Sequence, residues 1–310
     1  MQNSTTYQAV RDGTAPAALR WTLGAAQAIA PELVAWFGER LFFTPSRRPS
    51  TAEARSLQGR GRRFSMLVEG RRVEGWRWGQ GPVVYLVHGW GANSGRLSAF
   101  VQPLLDSGFS VVAFDAPGHG ESGRGMSSMP EFARALRAVA AVYGSPHAII
   151  AHSLGAAATA LATRWGLRPG RLVLLAPPVN PASYVAPFAE TLGLNQDVMV
   201  RLRDRSERRL RFRWSDLDVR LMAPEGTVPL LVVHDRADQT VPFGEGAAIA
   251  DTWDGHLHET NGLGHSGVLR GPEVVEKVVG FVAANVESGG PARDDAARLE
   301  WALFNRDERW

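Results

Sequence analysis

Residues 147–166 read HAIIAHSLGAAATALATRWG. The opening residues 147–151 have the continuous apolar character of a strand buried on both faces, and the run from Leu154 has the small residues of a tightly packed helix. Ser153 falls at the junction. A serine between a buried strand and a helix sits on a sharp turn that lifts its hydroxyl above the sheet, and small neighbours are needed because strand and helix pack closely there. The usual pattern is G-x-S-x-G; here Ala151 holds the first glycine position and Gly155 the second. The competing reading is a serine that only caps the helix, and the rest of the chain decides between the two.

Outward from this junction the apolar runs recur. Residues 83–88 (VVYLVH), 110–115 (SVVAFD), 171–176 (RLVLLA) and 229–234 (PLLVVH) read as buried strands. Residues 64–69 and 72–78 form an opening hairpin about Gly70, and 256–260 (HLHET) supplies a last strand. Helical patterns occupy 96–106, 130–143, 154–166 and 272–286. This alternation predicts an α/β fold, with a mostly parallel sheet covered by helices on both faces and functional loops at the strands' C-terminal ends.

The core spans 64–178 and 225–290. The regular alternation stops between Pro177 and Pro229, an interval too long for an ordinary connection, and 179–224 reads as a helical lid inserted after the sixth strand. Residues 1–63 form an N-terminal extension. Within it, 16–43 reads as two amphipathic helical pieces broken at Pro31, expected to lie on the main domain rather than on a membrane surface or a partner chain. Residues 44–63, rich in Arg, Ser and Pro, read as a linker with little core of its own. A glycine–proline break leads to a short tail helix within 291–310. No internal repeat is visible.

Composition narrows the function. Of 310 residues, 45% are hydrophobic and 21% charged, values that support a large buried core. Lys277 is the one lysine among 34 basic residues, and arginine keeps its charge to high pH, so a net charge of only +3 still gives a pI near 9.8. The basic residues gather only at 201–213 and next to no nucleic-acid motif, so no nucleic-acid partner is expected. The absence of cysteine excludes disulfides, thiolate catalysis and Cys-ligated metals. The apolar run 21–30 is preceded by Arg20 and a polar lead, and is broken by Gln27, Pro31 and Glu32; neither a secretion signal nor a membrane span is expected, and the location expected is cytoplasmic.

Five segments carry a resemblance: His88-Gly89-Trp90-Gly91; Asp115-Ala116-Pro117-Gly118-His119-Gly120-Glu121-Ser122; the Ser153 turn; His234-Asp235-Arg236-Ala237-Asp238 with Val241-Pro242; and Gly264-His265-Ser266-Gly267. By their kind and order the chain resembles the α/β-hydrolase fold superfamily over roughly 64–285. The resemblance implies a triad of Ser153 as nucleophile, His265 as base and Asp238 as the acid that orients it. It implies an oxyanion hole from the backbone N–H groups of Trp90 and Leu154, with the Trp90 ring also in the substrate pocket or in the nearby core. His88, His119 and His152 take structural roles, and Asp115–Ser122 a structural turn. Asp235 competes for the acid as the nearer turn residue. Asp216 and Asp218 compete too, because some members take the acid from the loop after the sixth strand.

A serine nucleophile implies acyl transfer to water through an acyl-enzyme. Superfamily members that cut carbon–halogen bonds or epoxides carry aspartate where Ser153 stands and are set aside. A small-molecule carboxylic ester is the expected substrate. Thioesterase, lactonase, amidase and C–C bond hydrolase share the same triad, and a non-catalytic ligand-binding protein on the same fold is the non-enzyme alternative. No metal or organic cofactor is implied; His256 and His258, two apart on a strand, are the one pair that could share a metal. Arg201, Arg203, Arg205, Arg208, Arg209, Arg211 and Arg213 read as a solvated helix face with internal ion pairs. The sharper alternative is a site for an anionic acyl donor or an acidic carrier.

Overall fold

The apolar runs pair into one eight-stranded sheet. A computed structural model describes residues 15–47, 49–224, 226 and 228–284. Strands β1 (Arg62–Val68), β2 (Arg71–Trp78), β3 (Val83–Val87), β4 (Ser110–Asp115), β5 (Pro146–His152), β6 (Leu172–Leu175), β7 (Leu230–Asp235) and β8 (His256–Thr260) lie in the order β1-β2-β4-β3-β5-β6-β7-β8. The β1–β2 and β2–β4 pairs are antiparallel and the remaining pairs parallel. This is the mostly parallel sheet the sequence predicts.

Alternation along each strand explains why the runs are apolar throughout. Tyr85, Val87, Phe114, Ile149, Ala151 and Leu174 face one layer, packed on helices α5 (Met129–Tyr143) and α6 (Leu154–Arg164). Val84, Leu86, Ala113, Ile150, Val173 and Leu175 face the other, packed on α4 (Val101–Asp106) and α11 (Pro272–Ala283). With both faces covered, the middles of β3 to β7 are apolar, and their charged residues and histidines stand at the strand ends.

Three local expectations change. The helix expected over 96–106 is split into a 3-10 stretch, Ser94–Phe100, and then α4, with Leu97 outside helical geometry. Helix α9 (Phe243–Thr252) had no clear periodic signal, because Gly244 and Gly246 dilute it. The supposed linker also contains α3 (Ala52–Arg60), capped by the Thr51 hydroxyl, which accepts from the Ala54 N–H. Leu57 of α3 is buried, its carbonyl accepts from the Trp78 indole at 2.9 Å, and Gln58 bonds Ser94 at 3.0 Å. Arg and Ser in the flanks concealed a helix that docks on the sheet.

The larger correction concerns the first helices. Helices α1 (Ala17–Ile29) and α2 (Pro31–Phe43) pack on α7 (Val185–Leu192) and α8 (Gln196–Leu210), the two helices of the insert between β6 and β7. Leu23, Val34 and Ala35 meet Val185, Leu192, Val198 and Leu202 in a cluster of their own. The Gln27 amide donates to the Gly193 carbonyl at 3.1 Å and accepts from the Asn195 N–H at 2.9 Å. Arg201, Arg205 and Arg209, one helical turn apart, reach Glu32 at 2.5 Å and Glu39 at 3.4 and 2.8 Å respectively. The N-terminal extension and the insert therefore form one composite cap rather than two additions. The spacing of apolar residues showed that these helices bury a face, but not which partner receives it. The tail helix expected within 291–310 and the polar lead before residue 15 lie outside the described residues.

Candidate active site

Ser153 sits at the C-terminal end of β5 with φ 51° and ψ −124°, a conformation rare for a residue with a side chain. Its N–H donates to the Leu175 carbonyl at 2.9 Å, and its carbonyl accepts from the Ala156 N–H at 2.9 Å as α6 begins. Gly155 is required here: a methyl group would overlap the carbonyl oxygens of Val87 and His88. Ala151 faces the apolar layer under α6 and is fully buried, so the position read as a lost glycine is simply part of the core.

Asp238 follows β7. One carboxylate oxygen accepts from the backbone N–H groups of Thr240 at 2.8 Å and Val241 at 3.0 Å. The other lies 2.8 Å from Nδ1 of His265, and Nε2 of His265 lies 3.1 Å from Oγ of Ser153. His265 is carried on α10 (Gly264–Gly267), a single turn after β8. Burial alone would raise the Asp238 pKa, but hydrogen bonds from His234, His265 and the Val241 N–H outweigh it and hold the carboxyl well below the usual carboxylate range. The carboxylate is thus ionised and can only accept, which assigns the proton of His265 to Nδ1 and leaves Nε2 as an acceptor facing the serine hydroxyl.

The competing acids have other partners. Asp235 accepts from the Thr260 hydroxyl at 2.7 Å and from the N–H groups of Ala237, Gly262 and Leu263 at 2.9, 3.2 and 2.9 Å. It ties the turn that bears Asp238 to the loop that bears His265. Asp218 is bound to Arg220 at 2.6 Å, and Asp216 is exposed and bonded to Ser215. The histidines read as structural are so: His88 accepts from the Ala116 N–H at 3.0 Å, and His152 donates to the His265 carbonyl at 3.0 Å. Burial, with the nearby His265 charge second, lowers the His152 pKa to about 3, so this ring stays neutral behind His265. Asp115 accepts from the N–H groups of Ser94 and Glu121, both at 2.7 Å, which makes Asp115–Ser122 a structural turn. Among the described residues no three His, Asp or Glu side chains gather as a metal site, the His256–His258 strand included.

Two residues escaped the sequence reading. His234 is fully buried, donates to the Val241 carbonyl at 3.0 Å and lies 3.4 Å from Asp238. Gly246 allows this, since a methyl there would overlap the His234 ring. Tyr184, from the insert, lines the cavity described next with its hydroxyl buried and without a protein partner, and burial beside Glu245 and Asp238 raises its pKa. Nothing in the order of residues marks Tyr184, whereas His234 opens a quoted segment and could have been weighed.

Ser153 and His265 open into a cavity of about 450 Å³. The segments above the sheet contribute Trp90, Leu154 and Leu269; the cap contributes Phe188 and Trp214 from the insert, and Phe42 and Phe43 from the last turn of α2. Arg96 is the one arginine among its lining residues, and no carboxylate lines it. Phe42 meets Phe188 edge-on at 5.1 Å, and Arg209 stacks over Phe43 at 4.6 Å. Leu154 is the first residue of α6, so its N–H heads a helix that attracts negative charge. Trp90 both lines the cavity and packs on the core, edge-on to His119 at 5.1 Å.

The chain is similar to proteins already known. A family model described as serine aminopeptidase, S33, matches residues 80–222. That match ends before Asp238 and His265, whose placement rests on the geometry above. A pimeloyl-[acyl-carrier protein] methyl ester esterase of Methylococcus capsulatus is 52% identical over 44 residues, 14% of this chain and 17% of that protein. A serine hydrolase-like protein of Danio rerio is 33% identical over 130 residues, 40% of this chain and 36% of that one. The chain thus spans well under half of either relative. The structure of an esterase from Pyrococcus furiosus superposes with a TM-score of 0.59 at 18% identity, covering 77% of this chain and 95% of that one. The sheet order, the turn at Ser153 and these likenesses together show the α/β-hydrolase fold.

Proposed function

We propose that this protein is a serine hydrolase that cleaves carboxylic esters through an acyl-enzyme. The observation that carries the reading is the hydrogen-bonded chain Asp238–His265–Ser153 ending at an apolar cavity. Ser153 Oγ attacks the ester carbonyl while Nε2 of His265 takes its proton, and the Asp238 carboxylate stabilises the imidazolium that forms. The N–H groups of Leu154 and Trp90 are proposed to hold the developing oxyanion. His265 returns the proton to the leaving alkoxide. A water, deprotonated by the same ring, then attacks the acyl carbon and releases the carboxylic acid and Ser153.

The predominantly apolar lining suits an acyl chain, and the Methylococcus capsulatus relative is named for a methyl ester. Thioester, lactone, amide and C–C substrates use the same residues and differ in the leaving group. A hydrolysis panel separates them by setting oxygen, sulfur and nitrogen leaving groups against acyl length, with one acyl group presented on a carrier protein. A fluorophosphonate probe should label the protein at Ser153, and Ser153→Ala should lose both labelling and roughly a thousandfold or more of activity while unfolding at the same temperature. An unlabelled serine and no turnover across the panel would leave a ligand-binding protein instead.

A further inference from the structure

Helices α1 and α2 are apolar on two opposite faces. One face of each is spent on the cap: Leu19, Leu23 and Ala26 of α1 and Val34 and Ala35 of α2 pack against the insert. The other face is turned to solvent. On α1 it carries Trp21, 81% exposed, and Ile29, 88% exposed, with Gly24, Ala25 and Ala28 exposed between them. On α2 it carries Leu33, Trp36 and Phe37, at 61%, 43% and 37% exposure, spaced as one stripe. Five of the nine large apolar side chains that stand exposed among the described residues are on this pair of helices. A surface helix of a globular protein ordinarily turns its polar face outward, and a contiguous apolar face marks a docking surface.

The charge around the stripe is one-sided. Helix α1 has Arg20 and no acidic residue. Of the acids of α2, the buried Glu39 is taken up by Arg205 and Arg209, and the exposed Glu32 is paired with Arg201 and Arg205. Arg40 stands exposed with its guanidinium over the Trp36 ring at 5.2 Å, and Arg208 is exposed on the adjoining α8, where Arg203 is paired with Asp204 at 3.4 Å. Tryptophan, phenylalanine and leucine bordered by Arg20, Arg40 and Arg208 match the interface of an anionic bilayer, where the rings enter the acyl boundary and the guanidinium groups meet lipid phosphates. Among the described residues no helix is long and apolar enough to cross a membrane, so these helices would lie on it. Phe42 and Phe43, which line the cavity, are about one and a half turns beyond Phe37 on the same helix.

We propose that α1 and α2 dock the protein on an anionic membrane surface through Trp21, Ile29, Leu33, Trp36 and Phe37, with the cavity end of α2 beside the bilayer. This departs from the reading of the sequence alone, and it goes beyond the esterase reading without depending on it. The test is co-sedimentation of the full chain with vesicles of phosphatidylcholine alone or mixed with phosphatidylglycerol. Binding is expected with the mixed vesicles, weaker with phosphatidylcholine and weaker again as salt rises. The exposed-residue variant Leu33→Glu with Trp36→Glu should bind at least tenfold less while keeping its melting temperature and its labelling by fluorophosphonate.

A second measurement does not depend on that variant's folding. Tryptophan fluorescence of the unaltered chain on brominated-lipid vesicles should be quenched, and the apolar variant Trp21→Leu with Trp36→Leu should lose most of the quenching. No sedimentation with anionic vesicles, binding unchanged by the glutamates, or quenching unchanged in the leucine variant would each overturn the proposal. So would a concentration-dependent dimer broken by the glutamates without vesicle binding, which would assign the face to a second copy of the chain. Because sedimentation and quenching can be run on Ser153→Ala, their failure is distinct from a failure of the esterase reading.

Discussion

The floor and the roof of the cavity are held by different physics. The floor is backbone bonded into buried carboxylates: Asp235 accepts four hydrogen bonds across two loops, and Asp238 accepts from two backbone N–H groups as well as from His265. Such charge-assisted bonds in a buried setting are strong and leave little freedom of position. The roof is a small apolar cluster closed by arginine–glutamate pairs whose arginines are 27–35% exposed, and pairs of that kind contribute little individually in water. The floor fixes the positions of Ser153, His265 and Asp238, while the roof can change its side chains without disturbing them. Under the proposed function, chemistry belongs to the first and substrate choice to the second.

The sharpest break of that division is Asp238→Asn. The side-chain oxygen can still accept from Thr240 and Val241, so the turn survives. A neutral amide, however, no longer dictates the His265 tautomer or stabilises its charged form. The expected result is a fall in kcat of about 10⁴-fold on a soluble ester, with KM and the melting temperature little changed. A loss below tenfold would show that the floor does not act as this geometry implies.

The two regions also differ in how far the sequence reveals them. The floor is legible because its demands are local. A strand, a serine and a helix adjoin in residues 147–166, and Asp238 and His265 each follow a strand within a few residues. Chain order along a parallel sheet places all three at one edge. The roof joins Glu39 to Arg209 and Phe42 to Phe188 across more than 140 positions, and an amphipathic pattern gives a helix's buried face without naming its partner. For the same reason the arginines at 201–213 read as a solvated face. Their charge is visible in the sequence, but the two glutamates that take up three of them lie on another helix. Helix α3 and helix α9 escape a local reading, the first through its flanking Arg and Ser, the second through Gly244 and Gly246, of which only Gly246 is required by packing on His234.

A smaller effect tests the roof. Phe42→Ala removes a ring that lies between α2 and Phe188 and leaves Ser153, His265 and Asp238 as they are. The ratio of kcat/KM for a long acyl ester to that for acetate should change about tenfold, equivalent to about 1.4 kcal/mol of contact made with the chain and not with the carboxyl carbon. An equal change for both esters would mean that the ring supports the floor rather than selecting the substrate.

The smallest effect asks what the floor costs in acid. His152 backs His265 and is kept neutral by burial, its pKa about 3 against 6.5 for an ordinary histidine. Between those values the unfolded chain takes up a proton that the folded chain refuses, so stability falls as pH drops from 6.5 and is flat with respect to this group above it. Asp238 acts with the same sign in a lower window. Its depressed pKa adds stability above its ordinary value of 3.8, and that contribution is lost only below it, so the range from pH 5 to 6.5 separates the two groups. His152→Gln can still donate to the His265 carbonyl but binds no proton in either state. Urea unfolding at pH 5 and 6.5 should therefore show a pH slope shallower in the variant by up to about 1.4 kcal/mol per unit, the worth of one proton. His119, also held neutral by burial, supplies a slope common to both proteins and cancels in the comparison. Equal slopes would mean that His152 accepts its proton in the folded state, and the wall behind His265 would then be wetter and less fixed than the floor's hydrogen bonds imply.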